Sequence, residues 1–115
     1  MRFRPKMRPE VEQTLQFIAE HITEPISLQQ IASRVHLSAS ALSKQFTKYN
    51  GIGFQQYVTS KRIELAIELL QTTGENVLDI AYSCGFHNSA AFYAAFKKTT
   101  GLSPLAYRSN RFFTV

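Results

Sequence analysis

The strongest constraint on the fold of this chain is an internal repeat, in which one pattern of helix starts, apolar positions and helix stops occurs twice. The two copies are offset by about 49 residues at their beginning and by about 50 after one extra turn residue. The matching pairs are Ser27 with Asn76, Ser38 with Asn88, Leu42 with Phe92, Phe46 with Phe96, and Gly51 with Gly101. Because caps, core positions and stops agree at the same time, the sequence predicts two copies of one structural unit.

Each copy contains the pattern of a short helix, a tight turn and a second helix, which is typical of a helix-turn-helix. Leu37 and Phe86 are predicted to fill the two turns with apolar side chains. Gly85 suits the left-handed backbone that a sharp helix exit often requires, whereas the first copy has His36 at this place. We therefore predict that the position need not be glycine.

Three further helices are predicted outside the two copies. The first begins at Pro9-Glu10, a long one runs from Phe54 to Gln71, and a short last one begins at Pro104. The predicted fold is all-α, with about seven helices and with two helix-turn-helix units joined by the long linker helix. Its predicted parts are a basic N-terminal arm or linker (1–8), a first helix-turn-helix subdomain (9–51), the linker helix (52–73), a second subdomain (74–109) and a C-terminal tail (110–115).

Positive charge is concentrated in two parts of the sequence. Thirteen Lys and Arg residues against eight Asp and Glu residues give a net charge of +5. No carboxylate occurs in 25–63 or in 80–115, the two windows that contain most of the repeated units. This distribution favours an acidic partner such as nucleic acid or a membrane surface. The alternative is an ordinary solvated face on a helical protein.

The composition predicts a soluble, cytoplasmic protein, because 44% hydrophobic residues suffice for a core and no apolar run approaches the roughly 18 residues of a membrane span. The single cysteine, Cys84, is expected to be a buried, inert thiol. Together with His87 it supplies only two potential metal ligands, which are too few for zinc. No catalytic constellation stands out, so we expect neither an enzyme nor a bound cofactor or metal.

Four segments carry a family resemblance: IELAIELLQTT, VLDIAYSCGF, AAFYAAFKKTTG and SPLAYR, in this order. Together with the first helix-turn-helix copy, they resemble the DNA-binding domain of the AraC/XylS family of bacterial transcription regulators over about residues 9–109. The resemblance implies a sequence-specific regulator whose two second helices occupy adjacent major grooves on one face of double-stranded promoter DNA. It also implies an activator that contacts RNA polymerase, with any effector domain outside this chain.

One face of each second helix is predicted to enter the groove, because the opposite face carries Leu42 and Phe46 or their counterparts. The base-reading candidates, of which the first three are also implied by the resemblance, are Ser40, Ser43, Lys44, Ser89, Ala90 and Tyr93. The candidates for contact with the DNA backbone are Ser38, Ala39, Lys48, His87, Asn88, Lys97 and Lys98. Simple solvent exposure is the alternative for the serines and for His87.

The second copy departs from the family pattern at Ala94, which occupies the place of Lys44 and is very often arginine in the family. We therefore expect the second copy to be a weaker, more permissive reader, although Ala90 can contact a thymine methyl group. Arg62 is expected to be structural rather than base-reading, and the basic arm ending at Arg8 either reaches a minor groove or serves only as a linker. The competing hypothesis is a helical protein-interaction module without a role on DNA.

Overall fold

The structure, a computed structural model, describes residues 8–110 of the 115-residue chain. These residues form seven α-helices and no strand, which confirms the predicted all-α class. In chain order the helices are α1 (Pro9–Glu20), α2 (Leu28–Arg34), α3 (Ala39–Asn50), α4 (Phe54–Thr72), α5 (Val77–Ser83), α6 (Ser89–Thr100) and α7 (Pro104–Asn110). Within this range no helix combines the length and the hydrophobicity needed to cross a membrane. Except for Arg8, the predicted basic arm lies outside the described residues, as does most of the predicted tail.

Contacts within the chain group it into two compact units. The first unit contains residues 8–21 together with Pro25–Tyr57, and the second contains Ile22–Glu24 together with residues 58–110. Helix α4 therefore begins in the first unit and continues in the second. Each unit contains one helix-turn-helix, formed by α2 and α3 in the first unit and by α5 and α6 in the second.

The predicted caps of the two helix-turn-helices are all present, and each helix start uses the same hydrogen bond. A side-chain oxygen accepts from the backbone N–H three residues ahead, which satisfies one of the donors left unpaired at a helix start. The four bonds join Ser27 to Gln30 (3.1 Å), Ser38 to Ala41 (3.0 Å), Asn76 to Asp79 (2.8 Å) and Asn88 to Ala91 (2.7 Å). The second helices also end alike, at Gly51 with φ 82° and at Gly101 with φ 80°.

The two turns have the same backbone hydrogen bonds but different residues at the left-handed position. The Leu37 N–H donates to the Ala32 carbonyl at 3.0 Å, and the Phe86 N–H donates to the Ala81 carbonyl at 3.2 Å, so both turns are Schellman motifs. The left-handed residue has φ 60° in the first turn, where it is His36, and φ 99° in the second, where it is glycine. The prediction that this position need not be glycine is thus confirmed for the first turn only.

Gly85 is required in the second turn for a reason that is absent from the sequence pattern. A Cβ atom on Gly85 would lie 2.8 Å from the Ile22 carbonyl oxygen and 2.8 Å from Nε of Arg62. The Arg62 guanidinium cannot easily withdraw, because its Nε donates to that same carbonyl at 2.9 Å and its Nη2 donates to the Glu24 carbonyl at 2.8 Å. These bonds agree with the structural role expected for Arg62.

Each unit has its own aromatic core. In the first unit, Phe46 is fully buried and meets Phe54 and Tyr57 edge-on, with ring centroids 5.8 and 5.3 Å apart. In the second unit, Phe92 is fully buried and meets the turn residue Phe86 edge-on at 5.2 Å. This contact confirms that Phe86 fills the second turn. In each unit the buried aromatic residue lies on the second helix, so the core fixes which face of that helix is exposed.

Cys84 is buried in the core of the second unit, where its Sγ donates to the Ile80 carbonyl at 2.8 Å. Burial raises the pKa of the Cys84 thiol to about 11, although the neighbouring Arg62 guanidinium opposes this shift. The thiol therefore stays protonated at neutral pH, as the predicted inert role requires.

Candidate nucleic-acid interface

The surface of α3 opposite the core forms one continuous stripe along the helix. Its four exposed residues follow one another at helical spacings of four, three and one: Ser40, Lys44, Thr47 and Lys48. On the opposite side Leu42 and Phe46 are fully buried, which fixes the direction in which the stripe faces. We call these four residues the α3 stripe.

The remaining first-unit candidates lie at the beginning and the edge of this stripe. Ser38 is exposed, and because its hydroxyl accepts the capping hydrogen bond its O–H is still able to donate to a phosphate. Ala39 and Ser43 are each half-buried. Ser43 therefore stands at the margin of the exposed face, so Ser40 and Lys44 present the more accessible polar groups.

The corresponding surface of α6 has the same spacing but different chemistry. Its four residues, each 50 positions after its counterpart, are Ala90, Ala94, Lys97 and Lys98, which we call the α6 stripe; all four are exposed. Beside it Tyr93 is 42% exposed, and its ring lies edge-on to the buried Phe92 with centroids 5.7 Å apart. Ser89 is half-buried.

The turn before α6 supplies two further predicted contacts. His87 and Asn88 are both exposed. The Asn88 side-chain oxygen is occupied by the Ala91 N–H, and its amide nitrogen is a potential donor to a phosphate. Ala91, next to the α6 stripe, is also exposed and is not among the predicted candidates.

The electrostatics of both stripes favour an anion. Neither α3 nor α6 contains a carboxylate. Among the described residues no ion pair is found for Lys44, Lys97 or Lys98, and the Lys48 ammonium lies 5.5 Å from the centre of the Tyr49 ring. The difference between the helices is where the charge lies, since α3 has a lysine in its second turn whereas α6 has lysines only near its C-terminal end.

Comparison with known proteins identifies this arrangement. A family model described as a helix-turn-helix domain matches residues 31–110. The C-terminal domain of the response regulator AraT from Geobacillus stearothermophilus superimposes with a TM-score of 0.88 and 32% identity, covering 93% of this chain and 89% of that chain. The chain belongs to the AraC/XylS family of DNA-binding transcription regulators.

Two further AraC/XylS-type proteins place the chain within the family. The DNA-binding domain of the global transcriptional factor AdpA, whose crystal structure is of a complex with a target DNA, has a TM-score of 0.85 and 26% identity and covers 91% of this chain and 96% of that chain. The melibiose operon regulatory protein of Escherichia coli K12 is 37% identical over 98 residues, which are 85% of this chain and 32% of that protein. The chain thus spans about a third of the length of this AraC/XylS relative.

Proposed function

We propose that this chain binds a specific sequence of double-stranded promoter DNA by inserting α3 and α6 into major grooves. The observation that carries the proposal is the pair of matching stripes: two 12-residue helices, equally capped and without carboxylates, expose the same four positions. The N-terminal part of a recognition helix contacts base edges in a helix-turn-helix, and both stripes begin one residue after the first helical residue. A helical protein-interaction module gives no reason for two acid-free stripes.

Within the first unit, the exposed Lys44 ammonium is the proposed base reader, because lysine donates well to O6 and N7 of guanine. Ser40, one turn closer to the helix start, is proposed to contact an adjacent base, and Ser43 to assist from the margin of the stripe. Ser38, Ala39 and Lys48 lie at the two ends of the helix and are proposed to contact phosphates through a hydroxyl, a backbone N–H and an ammonium.

In the second unit, the proposed phosphate contacts come from both ends of α6. His87 and Asn88 precede the helix, while Lys97 and Lys98 lie in its last turn. These positions flank the groove-facing turns that contain Ser89, Ala90 and Tyr93. Phosphate contacts fix orientation without reading sequence, so the second unit holds the duplex more firmly than it discriminates between bases.

The affinity for duplex DNA is expected to fall linearly with salt on a double-logarithmic plot, because lysines that bind phosphates release condensed counterions. The double variant Lys97→Gln with Lys98→Gln should reduce the slope by about 2, since each phosphate contact contributes about 0.9. Fluorescence anisotropy between about 50 and 200 mM salt measures both slopes. A slope that is unchanged in the double variant would show that these lysines do not contact phosphates. Lys61→Gln, which removes a half-buried lysine of α4 that is paired with Glu64, is the control for loss of positive charge outside α6.

The selected binding site is expected to span about 20 base pairs, because two major grooves on one face of DNA are about 10 base pairs apart. Selection from a random duplex pool followed by footprinting measures this length. Full affinity for a duplex of about 6 base pairs would mean that only one unit docks.

Activation of transcription and contact with RNA polymerase stay predictions from the family resemblance. Transcription in vitro from the selected site, with and without the protein, tests both.

A further inference from the structure

The first two turns of α6 present an exposed surface with little hydrogen-bonding capacity. Ala90, Ala91 and Ala94 are all exposed, and Tyr93 is 42% exposed beside them. At the positions of Ala90 and Ala94, α3 has Ser40 and Lys44, which both carry donors. The two stripes therefore differ in hydrogen-bonding capacity at the N-terminal end of the helix, which is the end proposed to contact bases. Both stripes are basic at the C-terminal end.

The major groove offers only one apolar group to such a surface. Guanine, adenine and cytosine present donors and acceptors, whereas thymine adds a C5-methyl group. An alanine side chain has neither a donor nor an acceptor. It therefore distinguishes thymine from the other bases only by packing against the thymine methyl group, which the other bases lack. Tyr93 differs from the alanines, because its phenolic hydroxyl can donate or accept a hydrogen bond and only its ring carbons are limited to apolar contact. Its contact with the buried Phe92 helps to hold the ring in place.

We infer that α6 recognises thymine methyl groups, so that the half-site bound by the second unit is selected for thymines rather than for guanines. The inference rests on the proposed function, since it requires α6 to lie in a major groove. Ala90 and Ala94 are one turn apart, or about 6 Å along the helix axis. This separation is short enough for the pair to contact two thymines of one half-site.

Removing the methyl groups from DNA tests the inference without changing the protein. Each thymine of the selected duplex is replaced by deoxyuridine, one half-site at a time, and the dissociation constant is measured. Replacement of one contacted thymine should weaken binding about fourfold, and replacement of both about tenfold or more, because one buried methyl group is lost each time. Replacement in the α3 half-site should change affinity less than twofold. The α3 half-site is identified as the half whose base preferences are relaxed by Lys44→Ala.

The matched variant is Ala94→Ser, which keeps a small side chain on an exposed helix position and adds a hydroxyl. It should abolish the effect of deoxyuridine at one position and leave the effect at the other. For the unsubstituted protein, cytosine in place of that thymine should weaken binding about fourfold, and 5-methylcytosine should recover this loss, because it restores the methyl group.

The outcomes separate this inference from the proposed function. If a specific site is selected and deoxyuridine has no effect in the α6 half-site, or an equal effect in both half-sites, the inference is overturned while sequence-specific binding stands. If no specific site is selected, the proposed function fails and the inference fails with it. A deoxyuridine effect confined to the α6 half-site and reduced by Ala94→Ser supports both.

Discussion

Gly85→Ala is expected to lower the free energy of unfolding of the second unit by roughly 3 kcal/mol. Two costs add together. A residue with a Cβ atom is strained at φ 99°, and that atom would lie 2.8 Å from both the Ile22 carbonyl oxygen and Nε of Arg62. Relief by movement of Arg62 would sacrifice its hydrogen bonds to Ile22 and Glu24. Chemical denaturation followed by circular dichroism measures the loss.

The matched control is His36→Gly at the corresponding place in the first turn. His36 already adopts φ 60° and is exposed, so glycine there should change stability by about 1 kcal/mol or less. If the two substitutions had similar small effects, the close contacts around Gly85 would not be rigid, and glycine would not be required in the second turn. Arg62→Ala combined with Gly85→Ala separates the contributions, because removing the guanidinium leaves the Ile22 carbonyl oxygen still 2.8 Å from the added Cβ atom.

Lys44→Ala is expected to weaken specific DNA binding by about 1–3 kcal/mol, or roughly 5- to 150-fold, and to relax base preference in one half of the site. Lys44 is the charged residue in the second turn of the α3 stripe, where a recognition helix contacts base edges. It is exposed, so its loss should leave folding unchanged. Binding of the variant to a set of single-base variants of the selected site shows where preference is lost.

The reciprocal substitution, Ala94→Arg, is expected to strengthen binding generally and to create a preference for guanine in the other half-site. Ala94 is exposed at the position equivalent to Lys44, and an arginine there supplies bidentate donors that α6 lacks.

If Lys44→Ala weakens all sequences equally, Lys44 contacts a phosphate instead of a base. If it changes nothing, α3 does not dock as proposed. Circular dichroism controls for unfolding of both variants.

The repeat allowed the helices, the caps and the faces of α3 and α6 to be predicted, because each is set by residues close together in sequence. Ser38 and Asn88 are recognisable as caps from the few residues around them, and Phe46 and Phe96 mark the buried face by their spacing alone. Local patterns therefore suffice to predict which faces of α3 and α6 are exposed.

Features that depend on distant residues were less accessible. The need for glycine at position 85 comes from the Ile22 carbonyl and from Arg62, which are far away along the chain. The half-buried state of Ser43 was likewise not predicted, since helical spacing alone placed it on the exposed face. Which exposed side chains meet bases and which meet phosphates depends on the DNA, and no pattern within the chain decides it.

The unequal placement of charge on the two stripes bears on how promoters controlled by such a protein change over generations. If Lys44 reads a base as proposed, a base change opposite it removes a hydrogen-bonded contact and costs about 1–3 kcal/mol. If α6 reads thymine methyl groups as inferred, a base change that removes one methyl contact opposite Ala90 or Ala94 weakens binding only about fourfold. Single mutations in the α6 half-site would then adjust expression in small steps, so one protein could maintain a graded set of promoter strengths while the α3 half-site stayed nearly constant.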